Sequence, residues 1–74
     1  MTDPKILKEG FEAVALTLID FGYSGITVAM VEEVYTAIKK GEDLPHGIIG
    51  RFAKVHMEDF PSIFGSLEPD EGTP

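Results

Sequence analysis

Apolar side chains recur every three or four positions in three segments of this sequence, and glycine or proline separates one segment from the next. This spacing places the apolar residues of each segment along one face of an α-helix. Such a face is stable in water only when it packs against another element. The sequence therefore predicts an all-α fold, a compact three-helix bundle without a β-sheet.

The helices are expected near residues 4–21, 27–40 and 45–58, with boundaries set by capping residues. Glycines 22 and 41 follow the first two helices at the position where a C-terminal stop is common. The N-cap candidates are Thr2 or Asp3 for the first helix, Ser24 or Thr27 for the second, and Asp43 for the third, which has Pro45 in its first turn.

The apolar stripes predict which side chains form the core. Leu18, Val34 and Phe52 lie near the middle of their stripes and are expected at its centre. The stripe of the first helix is expected to contain Leu7, Phe11, Val14, Ala15, Leu18 and Phe21. The stripe of the third is expected to contain Ile48, Ile49, Phe52, Val55 and His56, with Phe60 at its end.

The C-terminal part divides into a short turn and a tail. The segment "DFPSIFG" predicts one further helical turn near residues 60–64, capped by Asp59, that returns Phe60, Ile63 and Phe64 to the bundle. From Ser66 onward the chain has three acids, two prolines and little to bury, which predicts a disordered acidic tail. The expected organisation is a single helical domain at 1–65 and a tail at 66–74.

Charge and composition narrow the class of partner. Thirteen acidic and six basic residues give a net charge of −7, which disfavours nucleic acid and anionic membranes as partners. The chain has no cysteine, so disulfides cannot stabilise it. The N-terminal residues lack a secretory pattern and "AVALTLI" is too short to span a membrane, so a cytoplasmic protein is expected.

The sequence offers little for catalysis or ligand binding. It has no catalytic motif and no phosphate-binding loop, so we expect neither an enzyme nor a cofactor, and no small-molecule ligand is evident. His46 and His56 are its two histidines. On one helix their Cα atoms would lie roughly 15 Å apart, too far to share a metal ion.

The chain has more apolar residues than a three-helix domain of this size can readily bury, and this excess predicts a small acidic protein-protein interaction module. A domain this small is only marginally stable alone, which favours self-association, with a homodimer as the leading expectation. Leu16 projects away from the apolar stripe of the first helix, among charged side chains. The predicted interaction surface consists of Ile6, Leu16, Ile19 and Met30.

A helix-turn-helix DNA-associated regulator is the alternative, because a short glycine-containing turn joins the second and third helices. Its nucleic-acid face would consist of Lys40, His46, Arg51 and Lys54. Against it stand the negative net charge, two acids at the end of the third helix, and the absence of Asn and Gln, which read adenine. A continuous basic face would favour this alternative.

Overall fold

In the computed structural model, residues 3–65 and 67 are described, and these residues form four helices with no strand among them. The helices are α1 (Pro4–Asp20), α2 (Val28–Lys40), α3 (Ile48–Glu58) and α4 (Pro61–Phe64). The first three pack against one another, and α4 packs against α1 and α3. The prediction of a compact three-helix bundle with a short C-terminal helical turn is confirmed.

The first two helices begin at predicted capping residues. The Asp3 carboxylate accepts a hydrogen bond of 2.8 Å from the backbone N–H of Lys5. The Thr27 hydroxyl accepts one of 3.2 Å from the N–H of Met30. Each bond satisfies a backbone donor that has no partner inside the helix, and Gly41 ends α2 in the left-handed conformation.

The third helix begins later than predicted. Its N-cap is Gly47, and no side chain caps it, so the assignment of Asp43 as the cap is wrong. The cause lies in the preceding turn, where His46 and Gly47 have φ angles of 65° and 58°. Two consecutive positive φ values are incompatible with a right-handed helix, so Pro45 lies in the turn and not in the first helical turn.

Two of the three predicted core centres are correct. Leu18 and Val34 are 0% and 1% exposed, whereas Phe52 is 36% exposed and lies outside the core. On α3 the residues that face the bundle are Gly50, Ala53 and Met57. The helix is therefore rotated so that its small residues and one methionine pack inward, with only Ile49 of the α3 stripe partly buried beside them.

Close packing explains this rotation. A Cβ atom at Gly50 would collide with the backbone carbonyl oxygen of Pro45. The missing side chain thus lets the turn before α3 lie directly on the helix. A similar approach occurs at Gly10 of α1, where an added Cβ would collide with the Ile63 side chain and lie 3.0 Å from the Phe64 ring.

The short helix α4 completes the core. Phe64 is 2% exposed, and its ring lies 5.7 Å from the rings of both Phe11 and Tyr35. Phe60 and Ile63 are partly buried beside them, as predicted, although Phe60 and not Asp59 is the N-cap of α4. Leu67, assigned to the tail by the sequence pattern, also packs against the core. The rest of the predicted tail lies outside the described residues.

Candidate interaction surface

The side of α3 that points away from the bundle is apolar. Ile48, Phe52 and Val55 are 62%, 36% and 51% exposed, and we call these three residues the outer face of α3. Their spacing of four and then three residues places them within an arc of about 60° on the helix, roughly opposite the buried Gly50, Ala53 and Met57. Three residues of the apolar stripe predicted from the sequence therefore face solvent, whereas Ile49 packs against the core as predicted.

Two aromatic side chains from the α1–α2 connection extend this face. The Tyr23 ring lies 5.5 Å from the Phe52 ring, and the Phe21 ring stacks on the His56 imidazole at 5.3 Å with an interplanar angle of 24°. Phe21 is 67% exposed. These two contacts bring four rings together beside α3 and enlarge the apolar surface.

These rings border a shallow groove between the end of α1 and α3. The groove has a volume of about 360 Å³ and is lined by Leu18, Phe21, Tyr23, Phe52, Val55 and His56. The buried Leu18 contributes to its wall, so the groove reaches down to the core. A groove of this size can accept one or two apolar side chains of another protein.

Charged residues border the outer face on one edge only. Arg51 and Glu58 are both exposed and lie on the same edge of α3, seven residues apart. Two helical turns separate them by about 10.5 Å, so they do not form an intrahelical ion pair. The other edge is occupied by His56 and the rings that contact it.

The residues predicted as the interaction surface on α1 are exposed, and two of the three are neighbours on the helix. Ile6, Leu16 and Ile19 are 46%, 62% and 46% exposed, whereas Met30 of α2 is partly buried against the core. Leu16 and Ile19 are three residues apart and about 60° apart, so they are neighbours on the helix surface, whereas Ile6 lies about 15 Å along the helix from Leu16. Ile6 and Met30 therefore do not join Leu16 and Ile19 in one compact patch, and the role of these side chains remains a prediction.

The residues of the alternative nucleic-acid face have acidic neighbours. The Nε2 atom of His46 lies 3.5 Å from a carboxylate oxygen of Glu33. Arg51 lines a shallow depression together with Asp43. Lys40 ends α2 and Lys54 lies on α3, one turn from Arg51. A carboxylate therefore lies beside His46, and Asp43 shares a depression with Arg51.

The described part of the chain offers little for binding a metal ion or crossing a membrane. Four carboxylates surround a depression of about 450 Å³ between α2 and the turn before α3, contributed by Glu32, Glu33, Glu42 and Asp43. Among residues 3–65 and 67, no group of three acidic, histidine or cysteine side chains has the arrangement of a metal site. Within the same residues, no helix combines the length and apolar character needed to cross a bilayer.

Comparison with models of known protein families, with curated proteins and with solved structures gives no significant match.

Sequence reasoning placed Phe21 in the core stripe of α1 and did not single out Tyr23. Phe21 is the C-cap of α1 and lies about 60° from the buried Leu18, at the edge of the stripe. The signal available in the sequence was Gly22, which immediately follows and has a φ of 100°. A residue just before such a glycine lies at the end of a helix, where less of the bundle is present to cover it.

Proposed function

We propose that this chain is a small acidic protein-interaction module, and that the outer face of α3, with Phe21 and Tyr23, is its binding surface. One observation carries the proposal. Ile48, Phe52 and Val55 occupy one face of a helix, point away from the core and remain exposed. A folded domain that needed these side chains only for stability would bury them.

The clustering distinguishes this surface from ordinary exposed residues. A single exposed apolar side chain such as Leu16 needs no explanation. The three side chains of the outer face instead lie beside two rings of the α1–α2 connection, Phe21 and Tyr23, so that the apolar area is contiguous. Contiguous apolar patches on small soluble domains are typical of binding sites, and aromatic anchors contribute most of the affinity there.

The same observation gives less support to DNA recognition. A recognition helix presents its outer side to the major groove, where polar side chains bond to base edges. Here the outer side of α3 has isoleucine, phenylalanine and valine, and Arg51 lies at its edge. We therefore favour protein over nucleic acid as the partner and keep DNA binding as an outcome of the test.

Site-specific photo-crosslinking in the protein's own cells tests the proposal. A benzophenone amino acid at position 52 preserves the aromatic character of the surface, and the same label at Thr36, exposed on α2, is the matched control. We expect a discrete protein adduct from position 52 that is lost when Val55→Ser is added, and none from position 36. Equal labelling at both positions, or an adduct with DNA alone, would contradict the proposal.

A further inference from the structure

We infer that the partner of the outer face of α3 is a second copy of this chain, bound with the two α3 helices antiparallel. The inference rests on the proposed function, because it assigns the occupant of the same surface. It follows from the spacing of the apolar residues, from the charges at their edge and from the groove beside them.

The spacing is that of a helix-helix seam. Ile48, Phe52 and Val55 follow one another at intervals of four and three residues. This alternation is the pattern by which two helices interlock side chains along their length. An identical helix supplies an identical seam, so a two-fold axis through the outer face pairs the same surface on both copies. Asp59 takes the next seam position and limits the apolar part of the seam to three residues of each helix.

The edge charges select the antiparallel orientation. In antiparallel pairs, residues on one edge of a helix meet the same edge of the other helix, whereas in parallel pairs they meet the opposite edge. Antiparallel packing therefore brings Arg51 of each copy to Glu58 of the second copy. Parallel packing would bring Arg51 to the edge that contains His56. Only the antiparallel arrangement makes opposite charges meet, and it does so twice.

The register is consistent with these pairs. When Phe52 faces Val55 of the second copy, the two-fold axis passes between residues 53 and 54. Arg51 and Glu58 of the second copy are then offset by only about 3 Å along the helix axis. Both are long side chains and both are exposed, so they can form an ion pair across the seam. The groove beside Phe52, about 360 Å³ in volume, offers room for a side chain of the second copy.

The contact is small, which sets the concentration for the experiment. One 11-residue helix and two flanking rings form an interface near the lower limit of specific complexes, so association is expected at roughly 10–100 µM protein. Each copy has a net charge of −7, and this long-range repulsion is screened at about 0.15 M salt. Sedimentation at that salt and over that range measures the dimer directly.

Charge exchange tests the pairing. In sedimentation of the full chain, Arg51→Glu and Glu58→Arg should each raise the dimer dissociation constant about ten-fold, because each puts like charges opposite one another twice. The double variant restores the opposite charges and should return the constant to near the wild-type value. A double variant as weak as the single variants, or a wild type that is monomeric throughout, would overturn the inference.

Disulfide trapping gives the orientation independently. Because the chain has no native cysteine, Arg51→Cys and Glu58→Cys each introduce the only thiol. Mixed and mildly oxidised, they should form a 51–58 crosslink, because these positions are offset by about 3 Å along the axis. Each variant alone should give little covalent dimer, because position 51 is separated from its copy by about 7.5 Å along the axis and position 58 from its copy by about 13.5 Å. Preferential crosslinking of either variant with itself would contradict the antiparallel arrangement.

If the wild type is monomeric but position 52 crosslinks to another protein in cells, the inference fails and the proposed function remains.

Discussion

Gly50 determines how α3 packs, because it is the position at which the backbone of the preceding turn touches the helix. An alanine here gains up to about 1 kcal/mol of helix propensity. Its Cβ would nevertheless collide with the carbonyl oxygen of Pro45, and a backbone atom cannot move aside as a side chain can. The free-energy cost of this collision is therefore expected to exceed the gain in helix propensity.

We predict that Gly50→Ala lowers the free energy of unfolding by about 1–3 kcal/mol. Gly10→Ala is the matched control, because its obstacles are the side chains of Ile63 and Phe64. These can shift, so the loss at position 10 should be smaller. Chemical denaturation of both variants measures the difference, and equal midpoints would show that the contact with Pro45 is not limiting.

Phe52 and Met57 separate surface from core on the same helix. Met57 is fully buried, so Met57→Ala should destabilise the fold by about 2–5 kcal/mol. Phe52 lies at the surface, so Phe52→Ala should destabilise the monomer by no more than about 1–2 kcal/mol, well below the loss expected of a core phenylalanine. Thermal melts at low protein concentration check this order. A larger loss at position 52 would mean that the outer face stabilises the fold.

At the level of elements, the sequence was sufficient for α1 and α2. Apart from Phe21, which is exposed at the end of α1, their stripes face the bundle, and Asp3 and Thr27 cap them as local hydrogen-bonding rules require. For α3 the sequence identifies the apolar stripe correctly, but the prediction that the whole stripe faces the core is wrong. A stripe shows which side of a helix is apolar, but whether that side meets the core depends on how closely the backbones approach.

A signal for the correct direction was present in the sequence. Gly50, Ala53 and Met57 also recur at intervals of three and four residues, on the side of α3 opposite Phe52. Small residues in a stripe permit close helix packing, and the larger stripe is then left outside. The candidate surface could not be derived because burial of the larger stripe is the more common outcome.

The segment after α4 provides a test at the element scale. Because Leu67 packs against the core, removal of residues 66–74 should lower the free energy of unfolding by about 1 kcal/mol. Removal of residues 68–74 retains Leu67 and is expected to leave stability unchanged. The two truncations can be compared by chemical denaturation. If they are equally stable, the Leu67 contact does not contribute.

For the whole molecule, the competing predictions concern which helix associates. Leu16 on α1 was predicted from sequence as the centre of a dimer surface, and the outer face of α3 is proposed from the structure. Leu16→Glu and Val55→Glu place the same charge at two similarly exposed positions, at 62% and 51% exposure. We expect sedimentation to show that Val55→Glu abolishes the dimer and Leu16→Glu does not. The reverse result would restore the α1 surface.

The two tyrosines of this chain lie in different surroundings, and no tryptophan masks their emission. Tyr35 contacts Phe11 and Phe64 within the bundle, whereas Tyr23 lies beside Phe52 at the rim of the groove. Fluorescence of a Tyr23→Phe variant thus reports on unfolding alone, and that of a Tyr35→Phe variant is sensitive to docking. The native aromatic residues provide separate optical probes of folding and of assembly, without an added label.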